Sequence, residues 1–394
     1  MTGFLDAYRG EGPLRGVTVL DFSQMMMGPL ATQLLGDLGA LVIKVERPGT
    51  GEWERGYLPR GTRLDGESPY FLAMNRNKLS VTADLRDPGD TAFLKDLVGR
   101  CDAVVENFRP GVMDRLGLGY EDLLAHNPRL VYASGSGYGA RGPDVRRPGQ
   151  DMLVQAASGL AAHSGPADRP PTPVAAPVLD ASTAFVLGLS LVSAVLDARE
   201  NGTPRHVEAS LLGTSLLIQC QEALVAMNTD LRWERSATGI AAPWTDSPYG
   251  VYATADGHLA VAMTPRTTLA AVFDLPADAV AAGDDEWFAR REEIDALIRE
   301  QLTAAGTADW LARLDEAGIW AAPVRELADV VETPQVAANG YVRTVRTGRD
   351  RPVRVVGLPV SMTGVDDIDR LPPPAVGEHN ELIRNAVHDR ESQQ

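Results

Sequence analysis

Residues 17–135 alternate between short apolar runs and helically spaced segments, and this alternation constrains the fold more than any other feature. Val17–Asp21 reads as a strand, Gly28–Leu38 as a helix stopping at Gly39, and Leu41–Val45 as a second strand. The pattern repeats with strand Leu79–Ala83, helix Thr91–Val98, strand Ala103–Glu106, helix Val112–Leu124 and strand Leu130–Ala133. Strands separated by helices of this length require right-handed crossovers, and so a mostly parallel, Rossmann-like α/β sheet covered by helices. Ligands bind such sheets beyond the carboxyl ends of the strands. Those ends fall at Phe22–Met27, Glu46–Arg47, Asn107–Phe108 and Ser134–Gly137.

A second feature is Val174–Leu196, where a Pro-broken approach delivers Asp180 to a run with no charge from Ala181 to Leu196. The run is shorter than the ~20 apolar residues that cross a bilayer, and it contains Ser182, Thr183, Ser190 and Ser193. It predicts a helix buried in a protein core with Asp180 as its N-cap. The helix dipole there favours an ionised carboxylate. Two readings follow: a plain capping Asp, or an ionised nucleophile at the edge of a cleft.

With 394 residues, two to three domains are expected. We place a large Rossmann-like domain at 1–228, a Trp- and Pro-rich linker at 229–248, and a smaller α+β domain at 249–330. Residues 331–394 then return to the large domain. The small domain opens with a hairpin, Tyr249–Ala253 and His258–Met263, turning at Asp256-Gly257. Helices at Asp284–Gln301 and Thr307–Ala317 follow. The formal net charge of −16 argues against nucleic acid and anionic membrane surfaces as partners. Cys101 and Cys220 stand far apart, and the six histidines show no ligand spacing, so no metal is expected. The first residues lack an apolar h-region, which leads us to expect a cytoplasmic protein.

Gly135-Ser-Gly137-Tyr-Gly139-Ala140 formally fits a dinucleotide fingerprint, but Gly142-Pro143 and Arg147-Pro148-Gly149 prevent the helix that must follow. A nicotinamide cofactor is rejected. Basic residues do gather at the predicted ligand edge: Arg47, Arg76, Lys78, Arg109 and Arg115. Each alone reads as surface charge, and together they point to phosphate binding. Met25, Met26 and Met27, in the loop after the first strand, read as core filler or as a soft wall for an acyl or adenine group.

Taken in order, these residues resemble a family III CoA-transferase, the group containing formyl-CoA transferase, carnitine CoA-transferase and α-methylacyl-CoA racemase. The likeness is carried by Leu20-Asp21-Phe22, Gly28-Pro29, Asp37–Ala40, Val42–Glu46, Asn75–Lys78 and Val105–Gly111. It continues through Asp114–Gly117, Arg147–Asp151, the Asp180 segment, Val207–Leu211 and Pro373–His379, so it spans nearly the whole chain.

The resemblance implies that Asp180 is the nucleophile of a ping-pong CoA transfer running through an aspartyl–acyl anhydride and an aspartyl–CoA thioester. It implies that Arg47, Lys78 and Arg115 hold CoA phosphates, with Asn107 and Phe108 near the nucleotide. Gln24, Met26, Met27 and Gln150 would also face CoA. An acyl-CoA and a free carboxylic acid would be the substrates, with no cofactor beyond the CoA thioester. Two subunits would form an interlocked homodimer.

The chain departs from formyl-CoA transferase at Gln24, Met26, Met27, Pro148 and Gln150, and it lacks that enzyme's glycine-rich flap. Racemases carry a His–Asp pair where Gln150-Asp151 stands, and Gln cannot act as a general base. Arg147–Asp151 is similar to members that move CoA between dicarboxylic acids. The alternatives are an acyl-CoA racemase or epimerase and a non-catalytic CoA-binding homologue.

Overall fold

Six parallel strands form the sheet that the alternation predicts: β1 (Thr18–Asp21), β2 (Leu41–Glu46), β3 (Lys78–Thr82), β4 (Ala103–Glu106), β5 (Val131–Ser136) and β6 (Arg205–Ser210). The structure is a computed structural model and describes residues 5–347, 351–365 and 371–388. The strand order is β3-β2-β1-β4-β5-β6. Neighbouring residues of one strand feed opposite cores. Val19, Val42, Val105 and Val131 face one core. Leu20, Ile43, Val104 and Tyr132 face the other. Burial on both faces explains why β1, β2 and β4 read as mainly apolar runs without alternation.

Helices α1 (Met27–Asp37), α2 (Pro88–Val98), α3 (Asp151–Ala157) and α4 (Val178–Asn201) follow the strands in the chain. α2 starts with Asp87 capping the amide of Asp90 at 2.9 Å and with Pro88 in its first turn. α4 lays Leu187, Leu191 and Val195 on the sheet. Its opposite face leaves Phe185, Leu189 and Leu196 more than half exposed. The helix expected to lie buried in a core is thus covered on one side only within this chain. By length and composition alone α4 could cross a membrane, but its buried face is part of the sheet's core. The single helix expected at Val112–Leu124 is two short ones, Val112–Arg115 and Tyr120–Leu124. Gly117, at φ 68°, turns the chain between them.

The chain divides into two compact units: Met1–Val154, Pro177–Leu217 and Thr333–Gln394 form the first, and Gln155–Ala176 with Ile218–Glu332 form the second. The stretch read as a linker, 229–248, lies inside the second unit. Residues 155–176 join it there through Ala167 donating to the Ser236 carbonyl and Arg235 to that of Pro166. That unit carries the expected hairpin as β7 (Gly250–Ala253) and β8 (His258–Val261). An unexpected third strand, β9 (Ala321–Pro323), pairs with β8. Trp287, Ile294, Ile298 and Trp310 fill its core.

In the first unit the C-terminal residues cover the outer edge of β3. His379 donates its amide to the Ser80 carbonyl at 3.0 Å, and Thr82 donates to the Asn380 side chain at 2.7 Å. Pairing with the tail removes an open strand edge.

Candidate active site

The strand order reverses between β1 and β4, and a crevice opens beyond the carboxyl ends of such a pair. The loops leaving these strands are tied together across it. The Gln24 amide donates to the Asn107 side-chain carbonyl at 2.8 Å, and the Asn107 amide group donates to the Gln24 carbonyl at 2.7 Å. Gly28 lets α1 start directly against this loop, since a Cβ there would come within 2.2 Å of Ser23 Cβ.

A cavity of about 880 Å³ lies at this edge. Gln24 and Phe108 line it together with Arg47, Arg115, Trp53 and Arg86. Arg47, Arg86 and Arg115 are exposed, and none has an ion-pair partner among the described residues. Three guanidinium groups with free donors suit phosphate oxygens. Arg86 escaped the sequence analysis. Its signal was its place just after β3, at the same strand edge.

Not every expected residue joins the cavity. Met27 is 5% exposed and turns its sulfur towards Gly135, so it is core filler. Met26 precedes α1 and is half-buried. Gln150 is exposed beside the start of α3. Arg109 lines a separate cavity of about 210 Å³ with Tyr120, Tyr132 and His206. Arg76 is buried against Asp37 at 2.5 Å.

Lys78 lies furthest from expectation. It is 1% exposed, and its ammonium donates to Asp21, the Pro29 carbonyl and Asn75, all within 3.0 Å. With its three donors engaged, it has none left for a CoA phosphate.

Asp180 also differs from its sequence reading. α4 begins at Val178 with Pro177 before it, so Asp180 sits inside the first turn and does not cap the helix. Another carboxylate does that work. Asp151 Oδ2 accepts the amides of Leu179 at 2.7 Å and Asp180 at 2.9 Å. The dipole reading is corrected accordingly: burial, and then the charge of Asp151, raise the Asp180 carboxyl to about 7. It is poised to ionise near neutrality, where a nucleophile must balance ionised fraction against reactivity.

Behind the cavity wall that Glu46 and Glu52 help to line lies a buried cluster that no sequence pattern announces. Lys44 pairs with Glu52 at 2.9 Å, Arg55 with Glu46 at 2.7 Å and Lys78 with Asp21 at 3.0 Å. All six side chains are 5% exposed or less. Glu54 is buried beside them. Burial and the neighbouring Glu52 push its carboxyl up to about 8, against the pull of Lys44 and Lys78, and Asp180 adds to the rise. Among the described residues no group of three or more His, Cys, Asp or Glu side chains is arranged to hold a metal ion.

The profile described as CoA-transferase family III matches residues 14–380. The chain is 32% identical to succinyl-CoA:glutarate CoA-transferase of Mus musculus, covering 95% of this chain and 86% of that protein. It is 33% identical to acetyl-CoA:oxalate CoA-transferase of Acetobacter aceti, covering 95% of both. The solved structure of a CAIB/BAIF family protein from Brucella suis superposes with a TM-score of 0.83 at 29% identity, covering 95% of this chain and 99% of that one.

Proposed function

The chain belongs to CoA-transferase family III, and from that premise we propose that it moves CoA from an acyl-CoA to a free carboxylic acid through covalent intermediates on Asp180. The observation that carries this reading is the pairing of two features at one sheet edge: a cavity with three arginines that have no ion-pair partner among the described residues, and a half-buried carboxyl group poised near neutrality. CoA contributes phosphates for Arg47, Arg86 and Arg115. Phe108 offers an apolar face to the nucleotide, and the Gln24–Asn107 clasp fixes the loops on either side.

In the first step an Asp180 oxygen bonds to the thioester carbon and the C–S bond breaks, giving a mixed anhydride and CoA thiolate. The thiolate attacks the Asp180 carbonyl and expels the donor acid as a carboxylate, leaving an aspartyl–CoA thioester. The acceptor carboxylate then runs the two steps in reverse. Each step exchanges one acyl bond for another with no net proton transfer, so no general base is required. Glutarate and oxalate in the names of the relatives support a dicarboxylic acid as one substrate. A second copy of this chain covers the apolar stripe Phe185, Leu189 and Leu196 on α4.

The deciding experiment follows CoA exchange between acyl-CoAs and free acids by mass spectrometry. Asp180→Ala should lower the rate by at least about 1,000-fold, as expected for removing a covalent nucleophile. Exchange at the wild-type rate would sink the assignment. Arg115→Ala should raise KM for the acyl-CoA about ten-fold with little change in kcat, because it removes a phosphate contact made equally in the ground and transition states.

A further inference from the structure

Glu54, 5% exposed, is a buried carboxyl group with one oxygen, Oε2, left unpartnered among the described residues. Such atoms are uncommon in folded proteins, because leaving one unpaired forfeits its hydration without compensation. The surrounding charges do not rescue it. The cluster holds three cations, Lys44, Arg55 and Lys78, and each is already paired with its own carboxylate, Glu52, Glu46 or Asp21. No cation remains for Glu54, so it lowers its own cost by keeping its proton.

A protonated carboxyl is a donor, and its position says what it should meet. Glu54 follows Trp53, which lines the cavity, and it is close enough to Asp180 to feel that charge. The acceptor that enters this region during a CoA transfer is the acyl group. We propose that Glu54 is a specificity-determining residue whose neutral carboxyl donates a hydrogen bond to a second oxygen function, a carboxylate above all, on the acyl group held at Asp180. This rests on the CoA-transferase reading and sharpens it. An acyl chain ending in a methyl group offers Glu54 no acceptor, whereas one ending in a carboxylate fills its vacancy. The same carboxylate would be repelled were Glu54 ionised, and Glu52 and Asp180 add to that repulsion while Lys44 and Lys78 oppose it.

Succinyl-CoA and butyryl-CoA have acyl groups of equal length and differ in this terminal group alone, which makes them matched probes. Calorimetric binding to the full-length protein should show succinyl-CoA held about ten-fold or more tighter, the range of a hydrogen bond to a charged group. Glu54→Leu should erase that preference and leave butyryl-CoA within about two-fold of wild type. Glu54→Gln, whose amide still donates, should keep most of it. Raising the pH above about 8 should weaken succinyl-CoA binding more in the wild type than in Glu54→Gln, where only the loss of charge on Lys78, lowered to about 8 by burial, remains. The proposal is overturned if the wild type binds both probes alike or neither, or if Glu54→Leu weakens both equally. Exchange measured on the same samples separates the two ideas. Discrimination without exchange would overturn the transferase reading and support the Glu54 role, whereas exchange with discrimination unchanged in Glu54→Leu would do the reverse.

Discussion

Two groups of carboxylates in the first unit lie out of full contact with water, and their proton affinities shift in opposite directions. Asp21 and Glu46 are held low. Burial opposes their ionisation, but Lys78 and then Lys44 outweigh it at Asp21, and the Arg55 guanidinium does so at Glu46. Asp180 and Glu54 are pushed up to about 7 and about 8, because burial is reinforced there by another carboxylate. Desolvation acts in the same direction on all four. The partner decides the sign. Scaffold and site are thus built from the same residue types, and a cation beside the carboxylate separates one from the other.

Removing that cation should break the contrast most strongly. Lys78→Met leaves Asp21 buried with Lys44 as its remaining cation, and should cost about 3–5 kcal/mol in urea unfolding. A cost below about 1 kcal/mol would mean that the pair does not anchor β1 to β3.

The next largest effect runs the other way. The folded-state pKa of Asp180 lies above its unfolded value, so the folded state holds the proton more tightly. Stability is undiminished below about pH 4, falls as pH rises towards about 7, and stays reduced above that. Asp180→Asn should therefore stabilise the protein by about 2–4 kcal/mol at pH 8 and by almost nothing near pH 4. Equal unfolding midpoints for the two proteins at pH 8 would refute it. For Asp21 and Glu46 the sign reverses: their contribution is present at neutral pH and is lost as pH falls through their depressed values.

The smallest effect tests the partner alone. Exchange should follow an acid limb with a midpoint near 7 as Asp180 ionises. Asp151→Asn removes the neighbouring charge while its side-chain oxygen can still accept the two amides. It should move that midpoint down by about one unit or less. An unmoved midpoint would leave burial as the whole cause.

Much of this architecture is legible in the sequence, because hydrophobic rhythm is local. The strand–helix alternation gives the sheet and the edge where a site belongs, and Gln24, Arg47, Phe108 and Arg115 do line the cavity there. What escapes is set by partners distant along the chain. Lys78 reads as a surface cation, yet its acceptors come from Asp21 and Pro29, 57 and 49 residues earlier. Asp180 reads as a cap because nothing in its own segment shows that Asp151, 29 residues before it, has taken that place. Gly51-Glu-Trp-Glu-Arg55 has the composition of a solvated loop. Only the fold turns its two glutamates inward, one to a lysine and one to none.

The cover over β3 has a consequence for how the protein is made. Ser80 leaves the ribosome 299 residues before the histidine that bonds to it. At about 5–20 residues per second, the edge of β3 stays bare for roughly 15–60 s in every nascent chain. During that interval another nascent chain could pair with the same strand, so synthesis rate and chaperone supply should govern the yield of this enzyme more than the stability of its finished fold does.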